Sequence, residues 1–200
     1  MHLPIIAYGH TVLRMECEEV SANNEDIPAF INDMWETLKK SGGAGLAATQ
    51  VNRSKKIFIV DSKLLYDDLS LKERNNLFAK DDQGITETFF NAEIVGKTDE
   101  TWNEEEACLS IPGITEPVDR SWSITVEYQD ANFKNHCKQF SGYTAKIIQH
   151  EYDHTIGVLF IDHLDPLKRR LLKNKLKQIK EGKVKTKYPI KFLKKEKKRI

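Results

Sequence analysis

Cysteine is scarce: Cys17, Cys108 and Cys137 are the only three in 200 residues. An odd, sparse set does not suggest a disulfide framework and fits a reducing cytosol. No apolar run approaches the ~20 residues that a membrane-spanning helix needs. Met1 to His10 has too short an apolar part and no basic leader, so no signal peptide is expected. Internal repeats are absent. The Gly43-Ala44-Gly45 stretch lacks the Lys-Ser/Thr ending of a phosphate-binding loop and the third glycine of a dinucleotide fingerprint. What is left is a soluble chain sized for one domain, with 40% apolar and 30% charged residues.

A net charge of +1 conceals an asymmetry. Residues 166–200 carry 16 Lys or Arg against Glu181 and Glu196, a balance of +14. Residues 1–165 carry 15 basic and 28 acidic residues, a balance of −13. The basic end reads either as an electrostatic footprint for a nucleic acid or as a solvated helix with a frayed terminus.

Gln149-His150-Glu151-Tyr152-Asp153-His154 is the stretch with the most chemistry. Histidines four residues apart stack on one face of a helix, so both imidazoles can reach one metal ion. Glu151, beside the first, can serve as general base in this H-E-x-x-H arrangement. Ser141 is the expected N-cap and Gly157 the terminator. Apolar residues on several faces (Ile147, Ile148, Tyr152) mark this helix as centrally buried, where histidines need partners.

The other elements follow from local pattern. Asp26-Ile27-Pro28 opens a helix over about 27–40, with Asp26 as cap and Ile27, Phe30, Ile31, Met34, Trp35 and Leu38 inward. Gly43 to Gln50 is a small-residue turn that delivers Gln50, on its own pattern a buried structural amide, with a donor role left open. Lys56–Asp61 reads as a strand buried on both faces, and residues 62–84 as a polar surface insertion with one short helix near 70–79. Thr86–Val95 and Ser121–Tyr128 are strand-prone, and Asn132–Phe140 pairs with the latter across a turn. Glu104 to Gly113 reads as a glutamate-rich loop holding Cys108. Leu159–Leu164 is an extended link. Asp165-Pro166 caps a last helix to about Lys180, with Leu167, Leu171, Leu172, Leu176 and Ile179 inward.

Two histidines need a third protein ligand, and the candidates separate enzyme classes. A metzincin would require histidine where Phe160 stands. A gluzincin would need a glutamate on a following helix, and Glu181 lies at the far end of the basic one. Cys108 is the remaining candidate. A lone cysteine is ordinarily a small buried hydrophobe, but a thiolate with two imidazoles leaves the fourth position open, as catalytic sites require. Cys17 and Cys137 are taken as structural.

Three stretches taken together resemble the signature motifs of the peptide deformylase family, in the family's order: Gly43-Ala44-Gly45-Leu46-Ala47-Ala48-Thr49-Gln50, Glu106-Ala107-Cys108-Leu109-Ser110, and Gln149 to His154. The resemblance runs from about residue 3 to 180. The 62–84 insertion and basic tail are most similar to versions in the Bacteroides group. The resemblance implies an α+β fold: mixed, mostly antiparallel sheets around a central metal-binding helix, with a C-terminal amphipathic helix. It implies a catalytic domain over 1–182 with a basic tail at 183–200. It implies a cytoplasmic metallohydrolase that releases formate from N-formylmethionyl nascent chains. One divalent ion would be held by Cys108, His150 and His154. Family members typically carry Fe2+, with Zn2+ or Ni2+ able to substitute, while the residues by themselves suit iron or zinc. Glu151 would be the acid/base, Gln50 and the backbone N–H of Leu109 oxyanion donors, and Gly45 a backbone contact for the substrate peptide. The chain is expected to act as a monomer, to avoid membranes, and to meet the ribosome through 166–200.

Two positions depart from the family pattern. Ala107 stands where glycine is usual and would be strained if that position needs a positive φ. Glu104 and Lys146 stand where apolar residues usually border the methionine pocket. The rival functions are a zinc endopeptidase, which the missing downstream ligand opposes, and a non-catalytic ribosome-associated protein, which the retained Cys108, His150, Glu151, His154 and Gln50 oppose.

Overall fold

The computed structural model describes residues 2–23 and 26–193. An N-terminal arm carries β1 (Ile5–Ile6), and α1 spans Ile27–Ser41. β2 (Gly45–Ala47) and β3 (Ile57–Asp61) precede two short helices, α2 (Ser62–Asp68) and α3 (Leu71–Leu77). β4 (Thr86–Lys97), β5 (Thr101–Cys108), β6 (Ile111–Ser121), β7 (Ser123–Gln129) and β8 (Asn135–Ser141) follow. α4 (Gly142–Thr155), α5 (Pro166–Lys180) and β9 (Ile190–Lys191) complete the order.

Five strands form an antiparallel sheet in the order β2-β3-β4-β7-β8, with β5-β6 a separate antiparallel hairpin. Alternation along β3 explains how the sheet is covered. Ile57 and Ile59 pack with Ile27, Phe30 and Met34 of α1 on one face. Phe58 and Val60 pack with Ala145 and Ile148 of α4 on the other. Both faces are therefore covered, as the continuous apolar run of β3 requires. A third cluster joins Ile111, Ile114 and Val118 of β6 to Leu172, Leu176 and Ile179 of α5 and to Ile6 and Leu13 of the arm. The expected fold class holds: α+β, with mostly antiparallel sheets packed on the helix that carries His150 and His154.

Several local expectations give way to tertiary context. Glu104–Cys108 is not loop but the end of β5, a strand in which Glu106 and Cys108 face inward while Glu105 and Ala107 are exposed. Ala107 pairs with Thr115 and is absent from the non-glycine residues at positive φ, so its methyl carries no strain there. The 62–84 insertion has two helices, and it is anchored: buried Ser62 bonds Thr144 of α4 at 2.9 Å and accepts the Ile85 N–H at 2.9 Å. Asp26 does not cap α1 through its side chain but pairs with Arg53. Ser141 spends its hydroxyl on Ser123 (2.6 Å) and also makes no side-chain cap. Asp165 does cap α5, accepting from the N–H groups of Leu167 and Lys168. Leu167 and Leu171 are 67% and 72% exposed, because the buried face of α5 follows Leu172, Leu176 and Ile179. Phe160–Asp162 form one tight helical turn rather than an extended link.

The described part of the expected tail, 183–193, folds back over the arm. β9 lies parallel to β1, with Ile5 opposite Ile190. Residues 194–200 of that tail lie outside the described residues.

Candidate metal centre and active-site cleft

α4 is buried along nearly its whole length, so each polar group on it has either a partner or a desolvation cost to explain. Cys108, at the end of β5, approaches the helix from the hairpin side. Ligand atoms of Cys108, His150 and His154 lie within 4.8 Å of one another, and all three residues are buried. The Cys108 Sγ is 3.3 Å from His154 Nε2. Burial alone would raise the Cys108 thiol, but the imidazoles of His154 and His150 outweigh it and bring it down to about 5. The group is thus ready to serve as a thiolate, the form that binds metal. One soft and two borderline donors converging on a point suit a single divalent ion of the iron or zinc kind.

His150 is oriented from behind. Its Nδ1 is 2.8 Å from Glu106 Oε2. Burial would raise Glu106, but its bonds to His150 and Arg120 hold the carboxyl well below the usual range. An ionised carboxylate only accepts, so His150 Nδ1 carries the proton and Nε2 is left to face a metal. Arg120 on β6 grips Glu106 through Nε (2.8 Å) and Nη2 (3.1 Å). The same guanidinium reaches Asp153 of α4 at 2.7 Å, and Asp153 meets His163 at 2.7 Å. Arg120, Glu106 and Asp153 are all buried, so this chain of charges ties β5, β6 and α4 into one frame.

Gln50 is 1% exposed. Its Oε1 accepts the Ala47 N–H at 2.8 Å, which turns the amide nitrogen toward Cys108 Sγ (3.4 Å) and Ser110 Oγ (3.5 Å). Glu151 is buried, and its Oε2 has no hydrogen-bond partner among the described residues. Burial raises it to about 7 against the lowering pull of both histidines. Its carboxylate stands against Gly45: a Cβ there would sit 2.5 Å from Glu151 Oε1. Glycine at 45 is what lets the carboxylate occupy this position.

A cleft of about 570 Å³ opens onto these groups, lined by Gly45, Gln50, Cys108, Leu109, His150 and Glu151 among others. This volume is ordinary for a small-molecule or peptide end. Tyr143, Lys146 and Ile147 of α4 line one side. Lys146 bonds the Glu104 carbonyl and lies 5.5 Å from the Trp102 ring centroid. Burial brings its ammonium down to about 8. Lys185, Thr186, Lys187 and Tyr188 of the returning C-terminal segment line another side.

The sequence-expected residues Gly45, Gln50, Cys108, Leu109, His150 and Glu151 therefore border one cleft, with His154 clustered behind it against Cys108 and His150. Sequence reasoning did not single out Glu106, Arg120, Asp153, His163 or Tyr188. For Glu106 a signal existed, since it shares the inward face of β5 with Cys108. Arg120, His163 and Tyr188 had none.

A buried general-base candidate beside a Cys/His/His set, at the floor of a peptide-sized cleft, defines a metallohydrolase. Comparison with known proteins gives the family. The polypeptide deformylase family profile matches residues 2–170. The peptide deformylase of Christiangramia forsetii is 41% identical over 192 residues, covering 96% of each chain. That of Flavobacterium psychrophilum is 40% identical over 198 residues, covering 98% of this chain and 100% of the relative. Among solved structures, the Legionella pneumophila peptide deformylase aligns with a TM-score of 0.75 at 31% identity, covering 92% of this chain and 98% of that one. The chain belongs to the polypeptide deformylase family.

Proposed function

We propose that this chain hydrolyses the N-formyl group of formylmethionine at the start of nascent polypeptides, releasing formate and a free amine. The observation that carries this reading is the buried Glu151 carboxylate, whose Oε2 has no hydrogen-bond partner among the described residues, beside the Cys108/His150/His154 set. Those three residues would hold one divalent ion, for which we propose Fe2+, with Zn2+ or Ni2+ able to substitute. When bound, the ion supplies Lewis acidity, polarising the formyl carbonyl and acidifying water.

Glu151 takes the proton of the attacking water and returns it to the departing nitrogen. A carboxyl raised to about 7 suits both halves of that task near neutral pH. Gln50 Nε2 and the Leu109 N–H donate to the oxyanion that forms on the formyl oxygen. Gly45 lies on β2, one of the two edge strands of the sheet, and offers backbone groups to an extended peptide. Tyr143, Lys146 and Ile147 border the space for the methionine side chain.

Formate release from formyl-Met-Ala-Ser, measured anaerobically beside a Glu151→Ala control and metal analysis, tests the reading. Expected are about one metal per chain, turnover in the parent and none in the variant. Cleavage of internal bonds in unformylated peptides would favour the endopeptidase instead.

We further propose that the protein acts in the cytoplasm as a monomer and that 166–200 contacts ribosomal RNA. Lys173, Lys175 and Lys177 are exposed on α5 beside its buried Leu172 and Leu176. Neutralising all three should weaken ribosome binding and flatten its salt dependence; unchanged binding refutes the contact. Among the described residues no helix is long and apolar enough to cross a membrane.

A further inference from the structure

Residues 183–193 lie beyond the stretch that matches the family profile, yet four of them, Lys185 to Tyr188, border the cleft. After α5 the chain turns back over the arm. The Ile5 N–H donates to the Pro189 carbonyl at 2.9 Å, and the Ala7 N–H to that of Lys191 at 3.0 Å. This parallel pairing begins one residue after Tyr188, so the backbone at Tyr188 is set by a ladder. The Thr186 hydroxyl donates to the Tyr188 carbonyl at 2.6 Å and shapes the approach.

The Tyr188 hydroxyl donates to the Leu109 carbonyl at 2.8 Å. Leu109 and Ser110 form the two-residue turn between Cys108 and Ile111. The next carbonyl, of Ser110, accepts the Tyr8 N–H at 2.8 Å. Each carbonyl of the turn is thus held by one bond from outside the hairpin, one from the C-terminal segment and one from the arm. Without the first, the turn keeps only the bond from the arm and the Cys108–Ile111 pairing, and the whole turn, Leu109 N–H included, is held less firmly.

We propose that Tyr188 is a positioning residue, holding the Leu109 carbonyl so that the Leu109 N–H faces the formyl oxygen as charge develops on it. This rests on the deformylase reading above. The C-terminal segment is then a working wall of the site rather than a tail outside it.

Tyr188→Phe removes the hydroxyl and keeps the ring. The parent and variant are loaded with zinc and compared well below either melting transition. Expected is a fall in kcat of about tenfold, the loss of one hydrogen bond that positions an oxyanion donor, with KM changed by less than about twofold. The Leu109 amide resonance should move in the 15N spectrum of the zinc-loaded variant. An unchanged kcat overturns the inference, as does an unmoved Leu109 resonance. A rise in KM alone also overturns it, since Tyr188 would then touch the peptide and not brace the turn. A parent that releases no formate refutes the deformylase reading, and the Leu109 resonance then decides the brace by itself.

Discussion

Gly45→Ala is the perturbation whose outcome the geometry determines most tightly. The added Cβ would lie 2.5 Å from Glu151 Oε1, 2.7 Å from Cγ and 2.8 Å from Cδ. A carbon and an oxygen in ordinary contact are separated by about 3.3 Å, so the carboxylate has to move by about 0.8 Å. Neither side can share that movement easily. Gly45 is paired to Val60 in the sheet, and α4 is buried along nearly its whole length. The carboxylate must therefore swing away from its place. Displacing a catalytic group by about 1 Å costs on the order of 100-fold in rate, while local overpacking costs about 1–3 kcal/mol of stability. We expect kcat/KM for formyl-Met-Ala-Ser to fall by about 100-fold, with metal content intact because no ligand is touched. Gly43→Ala is the contrast: its Cβ would meet Leu109 Cδ1 at 3.0 Å and Leu38 Cδ1 at 3.1 Å, methyl ends that can give way. Its loss should stay under about fivefold. A Gly45→Ala enzyme with parental turnover would refute the assignment of Glu151 as the proton carrier in this position.

Two further outcomes follow from the buried charges. Glu106→Gln weakens the acceptor that orients His150, so zinc affinity in a chelator competition should drop about 10- to 100-fold, and an unchanged affinity would exclude that role. Lys146→Met should change how stability depends on pH. Burial lowers the ammonium from 10.5 to about 8, so between those values the unfolded chain binds more protons and parental stability rises with pH. Below about 8 the parent carries the full penalty. The advantage of Lys146→Met should therefore narrow by at most about 2 kcal/mol between pH 8 and 10.5, allowing for partial solvent access to the ammonium. Urea midpoints that run parallel for the two proteins across this range would show that Lys146 stays charged at no cost.

Local pattern made much of this protein legible. His150 and His154 share a helix face because four residues make about one turn, and that relation needs no tertiary contact. The same holds for α1, for the apolar run of β3, and for the β7–β8 hairpin, whose partners are near in sequence. Periodicity misjudged Leu167 and Leu171, because a helix with leucines on two adjacent faces does not say which face the core takes. It also read Glu104–Cys108 as loop, since glutamates suggest solvent unless a partner is known.

The partners were the part that no local pattern contained. Glu106 is buried because Arg120 comes across the hairpin to meet it, and Arg120 is fixed in turn by Asp153, 33 residues further on. Tyr188 reaches Leu109 across 79 residues because a two-residue parallel pairing brings the C-terminal segment to the arm. The sequence by itself determined which residues are the candidates for the chemistry: a thiol, two imidazoles, an amide and a carboxylate in three short motifs. Only the tertiary structure decided what holds them. A bond between distant residues depends on how the whole chain closes, and burying a charge is tolerable only where that closure delivers its counterpart.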